Sequence, residues 1–147
     1  MLNDALLAIL HHFFGFGLLA FLATEWGLLL GNPERSVVQR LALVDTGYGL
    51  AALGSLGAGL ARLTWGIKPA AYYINNPLFW VKMSAWGIVG AISVIPTLRY
   101  LKWRKAEALP SLEDFASTRK WVVIQLILFI AIPTFAALMA RGYGYSL

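Results

Sequence analysis

The stretch from Ala5 to Leu30 reads ALLAILHHFFGFGLLAFLATEWGLLL, and its only ionisable members are His11, His12 and Glu25. It exceeds the roughly 20 apolar residues needed to cross a hydrocarbon core. No basic segment precedes it, and it is too long for the apolar part of a leader peptide, so it predicts a retained helix. Working outward, three more runs have the same length and character: Val38 to Leu63, about Leu78 to Leu98, and about Trp121 to Ala140. The composition agrees. Of 147 residues, 59% are apolar and 13% charged, about half the charge of a soluble domain. A soluble monomer and a disordered chain are both excluded. The expectation is an all-α integral membrane protein, a single transmembrane domain over residues 1–147, folded as an up-down-up-down four-helix bundle in contact with the lipid bilayer.

The connections set the orientation. Arg35, Arg40, Arg99, Lys102, Arg104, Lys105, Arg119 and Lys120 fall in or beside the first and third connections. Arg62, Lys68 and Arg141 fall on the other side, and Lys82 lies within a span. Cationic residues concentrate on the cytoplasmic face, so both termini are expected on the outer, periplasmic side of a bacterial inner membrane. The same rule accounts for the net charge of +5 without a nucleic-acid partner. Thr64–Pro77 (TWGIKPAAYYINNP) is rich in aromatics that settle at a membrane interface, and Arg99–Lys120 reads as the one long polar connection. Pro96 and Pro133 are expected to kink spans three and four. Gly47, Ala51, Ser55 and Gly59 recur every fourth residue. That stripe packs helices within the bundle, clears room for a flat cofactor, or forms a homo-oligomer seam.

Ionisable groups inside a span are costly and mark candidate function. Depth sorts them into two layers. His11, His12 and Lys82 share the outer level; Glu25, Asp45 and Arg99 share the inner one, with Tyr48 three residues after Asp45 on much the same face and expected to donate a hydrogen bond to it. The inner layer reads first as a structural ion pair of Asp45 with Arg99 or Arg40, and second as a proton relay. In the outer layer, adjacent histidines diverge by about 100° around a helix, so at most one faces the bundle centre. Imidazole is the common haem ligand in helical bundles. These are the only two histidines, so a haem would be five-coordinate, take Lys82 or Met83 as second ligand, or bridge two protomers. Zinc or copper on His11 and His12 lacks a third ligand. With no cysteine, disulfides, thiolate metal sites and cysteine nucleophiles are excluded, and no phosphate loop or hydrolase motif is present.

The runs YGLAA (Tyr48–Ala52), GLAR (Gly59–Arg62), KPAAYY, NPLFWVKM and SVIPTLRYLKW, with the opening HHFFGFGLLAFLATEW, resemble the bacterial membrane proteins grouped as domain of unknown function 2214. More distantly, a helix-one histidine and a W-x-K motif opening a later helix resemble the HemJ-type protoporphyrinogen oxidases and the CopD-type membrane domains. That resemblance implies haem b, with His11 or His12 as the motif histidine and Lys82 as the motif lysine, acting as ligand, propionate partner or proton donor. It also implies a porphyrin substrate. Arg62, Tyr72 and Tyr73 are placed to hold propionates at the outer interface. The later histidine of the HemJ lysine helix is absent, since Ile95, Pro96 and Thr97 stand there. The rival readings are a non-catalytic assembly factor or accessory subunit, and a small proton-coupled transporter built on Glu25 and Asp45.

Overall fold

A computed structural model describes residues 2–145, so the expected domain limits at 1, 146 and 147 lie outside it. Helices α1 (Leu2–Leu28), α2 (Arg35–Trp65), α3 (Ala70–Ile74), α4 (Pro77–Lys105), α5 (Leu112–Phe129) and α6 (Ala131–Ala140) follow in chain order. No strand occurs among the described residues. Four helical stretches, with α5 and α6 counted as one, are long and apolar enough to span a membrane. Helix is the form that satisfies every backbone N–H and C=O where no water is available. Threonine hydroxyls in these spans close back onto their own helix, Thr24 on the Ala20 carbonyl and Thr46 on the Ala42 carbonyl, both at 2.8 Å.

The polar connection expected over Arg99–Lys120 is much shorter. The α4 helix runs on to Lys105 and α5 starts at Leu112. Lys102, Arg104 and Lys105 occupy the last turn of α4, where cations favour the exposed carbonyls. Ser111 and Asp114 form a reciprocal capping box that starts α5 nine residues before Trp121. Pro133 divides the fourth span. It offers no N–H to the Phe129 carbonyl, the helix breaks at Ile130, and the Ile130 carbonyl accepts from both the Thr134 N–H at 3.3 Å and the Thr134 hydroxyl at 2.8 Å. Pro96 is buried within a continuous α4.

The turns at 29–34 and 106–111 share one end of the bundle, here the loop end. The start of α1 and the end of α6 lie at the opposite, terminal end. Around the bundle, α1 packs on α2 and α5, while α4 packs on α2, α5 and α6. Among the described residues the α1 backbone does not come close to that of α4 or α6, and α1 reaches α4 through a side chain, with the Tyr100 hydroxyl on Glu25 at 3.2 Å. The core is concentrated toward the loop end, where Leu22, Leu29, Leu41, Tyr100, Phe115 and Val122 are buried together.

The small stripe on α2 packs against α1 within the bundle. Phe21 of α1 lies over Gly47, Phe14 over Gly54, and His11 over Gly59, so that a Cβ at Gly47 or Gly54 would stand 2.7 or 2.6 Å from ring carbons. Glycine at these points lets three rings sink against the α2 backbone. They also fix the antiparallel register that carries Glu25 opposite Asp45.

The terminal end is tied by polar contacts. Asn76 caps α4 by accepting from the Leu78 N–H at 2.9 Å, with Pro77 at the first helical position. Its Nδ2 donates to the Tyr143 carbonyl at 2.9 Å. Gly144, at φ +84°, turns the chain past Asn76. Asp4 accepts from the Ile67 N–H at 3.3 Å.

Candidate functional site

Helix α1 turns His11 inward and leaves His12 exposed. The two rings stand 6.1 Å apart at 65°, as expected for adjacent positions on a helix. The Nδ1 of His11 lies 2.9 Å from the Ser55 carbonyl oxygen. A carbonyl only accepts, so Nδ1 carries the hydrogen and Nε2 keeps its lone pair. Gly59 makes this approach feasible, since a Cβ there would meet the ring at 3.3 Å. An imidazole fixed through Nδ1 to a backbone carbonyl is in the arrangement that orients histidine ligands.

Arg62, one turn beyond Gly59, and Lys82, in the second turn of α4, both lie close enough to act electrostatically on His11. The Nε of Arg62 is buried with no hydrogen-bond partner. Lys82 is half-buried, with Nζ 5.1 Å from the Phe79 ring centre, and Met83 beside it is also half-buried. The two charged members of this cluster, Arg62 and Lys82, are both cations. Tyr72 and Tyr73 stand outside the spans on α3. Lys68 Nζ lies 3.8 Å above the Tyr72 ring, the Tyr145 ring stacks on Tyr72 at 4.5 Å, and the Tyr145 hydroxyl donates to the Tyr72 carbonyl at 2.6 Å. The Lys68 ammonium, with help from Tyr145, lowers the Tyr72 phenol below its ordinary value.

A cavity of about 50 Å³ lies deeper between the helices, lined by Leu18, Tyr48, Ala52, Trp86, Ser93 and Phe129 among others. It has room for a water molecule or two and none for a macrocycle. The polar groups nearer the terminal end offer one imidazole with a free Nε2 and two cations, including the unpartnered Arg62 nitrogen. Among the described residues, no group of three His, Cys, Asp or Glu gathers to hold a bare metal ion.

The inner layer differs from its expected form. Asp45 does not pair with Arg99 or Arg40. It accepts from the Thr97 hydroxyl at 2.7 Å, while Arg99 donates to the hydroxyls of Ser117 and Thr118 at 3.0 Å and Arg40 is exposed. The register carries Arg99 onto the α5 side of its helix, away from α2. Tyr48 is not the donor to Asp45 either, and lines the central cavity beside Ser93. Glu25 accepts from the Tyr100 hydroxyl at 3.2 Å. Sequence reading missed Ser55, Thr97, Tyr100 and Gln125. Of these, Gln125 carried a visible signal, as the one amide inside the apolar run WVVIQLILF.

Fold and site together define a polytopic, all-helical membrane protein with polar groups held at two depths. The chain belongs to the DUF2214 family of predicted membrane proteins, whose match covers residues 3–144. Neither the curated proteins nor the solved structures gave a match to it.

Proposed function

We propose that this membrane protein binds haem b through Nε2 of His11, with Arg62 and Lys82 meeting the propionates, and serves as a membrane oxidoreductase of the HemJ-like type. The observation that carries the reading is the His11 ring, held by Nδ1 to the Ser55 carbonyl with Nε2 left free beside two cations. When bound, haem supplies one-electron redox chemistry. The chain's own part is to orient the imidazole, neutralise carboxylates with Arg62 and Lys82, and keep water out with the apolar walls of α1 and α2. Lys82 is also the nearest proton donor to such a site. By the distribution of Lys and Arg, the loop end faces the cytoplasm and the cluster faces the outer side of an inner membrane. A porphyrinogen is the substrate this reading favours.

The test is a visible spectrum of the detergent-purified protein, as isolated and after adding haem. A Soret band is expected, lost in His11→Ala and retained in His12→Ala. A colourless protein that takes up no added haem overturns the proposal, and a band that survives His11→Ala overturns the ligand assignment.

A further inference from the structure

Glu25 is 1% exposed and Gln125 is fully buried. Glu25 receives a hydrogen bond at Oε2 from Tyr100, but its Oε1 has no partner. Gln125 donates Nε2 to the Trp121 carbonyl at 3.4 Å, and its Oε1 has no partner either. The α1–α5 register brings these two residues to neighbouring levels. Arg119 donates to the Leu29 carbonyl at 3.3 Å. Six residues on, Gln125 falls level with Ala23, about 3 Å along the axis from Glu25. Both face the core that α1 and α5 share with Tyr100 of α4. Two buried acceptors at neighbouring depths, with no donor for either, is an arrangement that folded proteins avoid.

Among the described residues no cation pairs with Glu25 or Asp45. The groups facing this core are Asp45 and Tyr48 from α2, Thr97, Tyr100 and Arg99 from α4, and Thr118 and Gln125 from α5. Arg99 is the single cation among them, and its hydrogen bonds go to Ser117 and Thr118. Asp45 stands opposite Glu25 and holds only the Thr97 hydroxyl. Two facing carboxylates without a counter-ion in a low-dielectric core repel one another. One hydrogen on a carboxyl oxygen removes a charge and turns an acceptor into a donor.

We propose that Glu25 is a proton-binding site, carrying a proton on Oε1 that it offers to the Gln125 side-chain carbonyl, with Asp45 as the neighbouring carboxylate to which that proton can pass. The site lies between the Arg99–Ser117–Thr118 cluster at the loop end and the central cavity, where Tyr48 and Ser93 continue the polar line toward the terminal end. It stands independently of haem.

Infrared difference spectroscopy of the purified protein at neutral pH tests this. Subtracting the Glu25→Gln spectrum from the wild type is expected to reveal one carboxylic-acid C=O band. Asp45→Asn should keep that band, and Gln125→Leu should shift it. Tyr100→Phe should also shift it without loss, which keeps the question answerable if Glu25→Gln does not fold. The proposal is overturned if wild type minus Glu25→Gln shows only carboxylate bands, or if neither Gln125→Leu nor Tyr100→Phe moves the C=O band. Loss of the band when sodium replaces choline in the buffer would equally overturn it, assigning the oxygens to a metal cation.

Discussion

Toward the loop end, α1, α2, α4 and α5 close around Leu22, Leu41, Tyr100, Phe115 and Val122, and even the acids are sealed inside. Toward the terminal end, α1 leans on α2 and α6 on α4, and among the described residues the α1 and α6 backbones stay apart. Of the outer half of α1, no residue before Leu18 is fully buried. Buried polar groups serve differently in the two regions. At the loop end Glu25 and Asp45 each find a hydroxyl of α4, and what is left over is one unpartnered oxygen each on Glu25 and Gln125. At the terminal end His11 keeps Nε2 free and the buried Nε of Arg62 has no partner. On the two proposals made above, the first region stores a proton and the second takes a ligand.

Stability measurements can break this comparison most directly. Leu41→Ala, at a site with no exposure, should cost about 2–5 kcal/mol in detergent unfolding. Leu6→Ala, on the lipid-facing outer half of α1, should change stability by about 0.5 kcal/mol or less. Equal losses at the two sites would show that the terminal half is as tightly packed as the loop half. A smaller effect is expected where α1 sinks onto α2. Gly54→Val drives a side chain into the Phe14 ring and should cost about 1–3 kcal/mol, whereas Gly57→Val, with open space around its α-carbon, should cost less. Similar costs at both would remove the ring-and-notch account of the α1–α2 register. The smallest effect concerns the terminal aromatic cluster. Lys68 favours the Tyr72 phenolate, so Lys68→Met should move the appearance of phenolate absorbance to higher pH. An unchanged titration would detach Lys68 from Tyr72.

The four spans, the apolar character and the grouping of charges were legible because each is a local property. A hydrocarbon core demands length and apolarity from every crossing segment, and a chain that is 13% charged must concentrate its charges at the ends. The two depths of polar residues could also be counted along the helices. The partners could not. Asp45 and Arg99 lie at compatible depths, yet rotation about the α4 axis sends Arg99 to α5 and offers Thr97 to Asp45 instead. The length of the third connection was misread, since a run of cations looks like a loop until a capping box places the next helix start.

The chain by itself determined that the protein crosses a membrane four times as helices, and which few ionisable side chains the hydrocarbon had to accommodate. Only the tertiary structure decided that His11 rather than His12 turns inward, that its Nδ1 is tied to Ser55, and that Glu25 and Gln125 face one core with an oxygen each to spare. Depth along a helix follows from 1.5 Å per residue. The direction a side chain faces depends on which neighbour its helix packs against, and that is settled by glycine notches and ring contacts between segments distant in sequence.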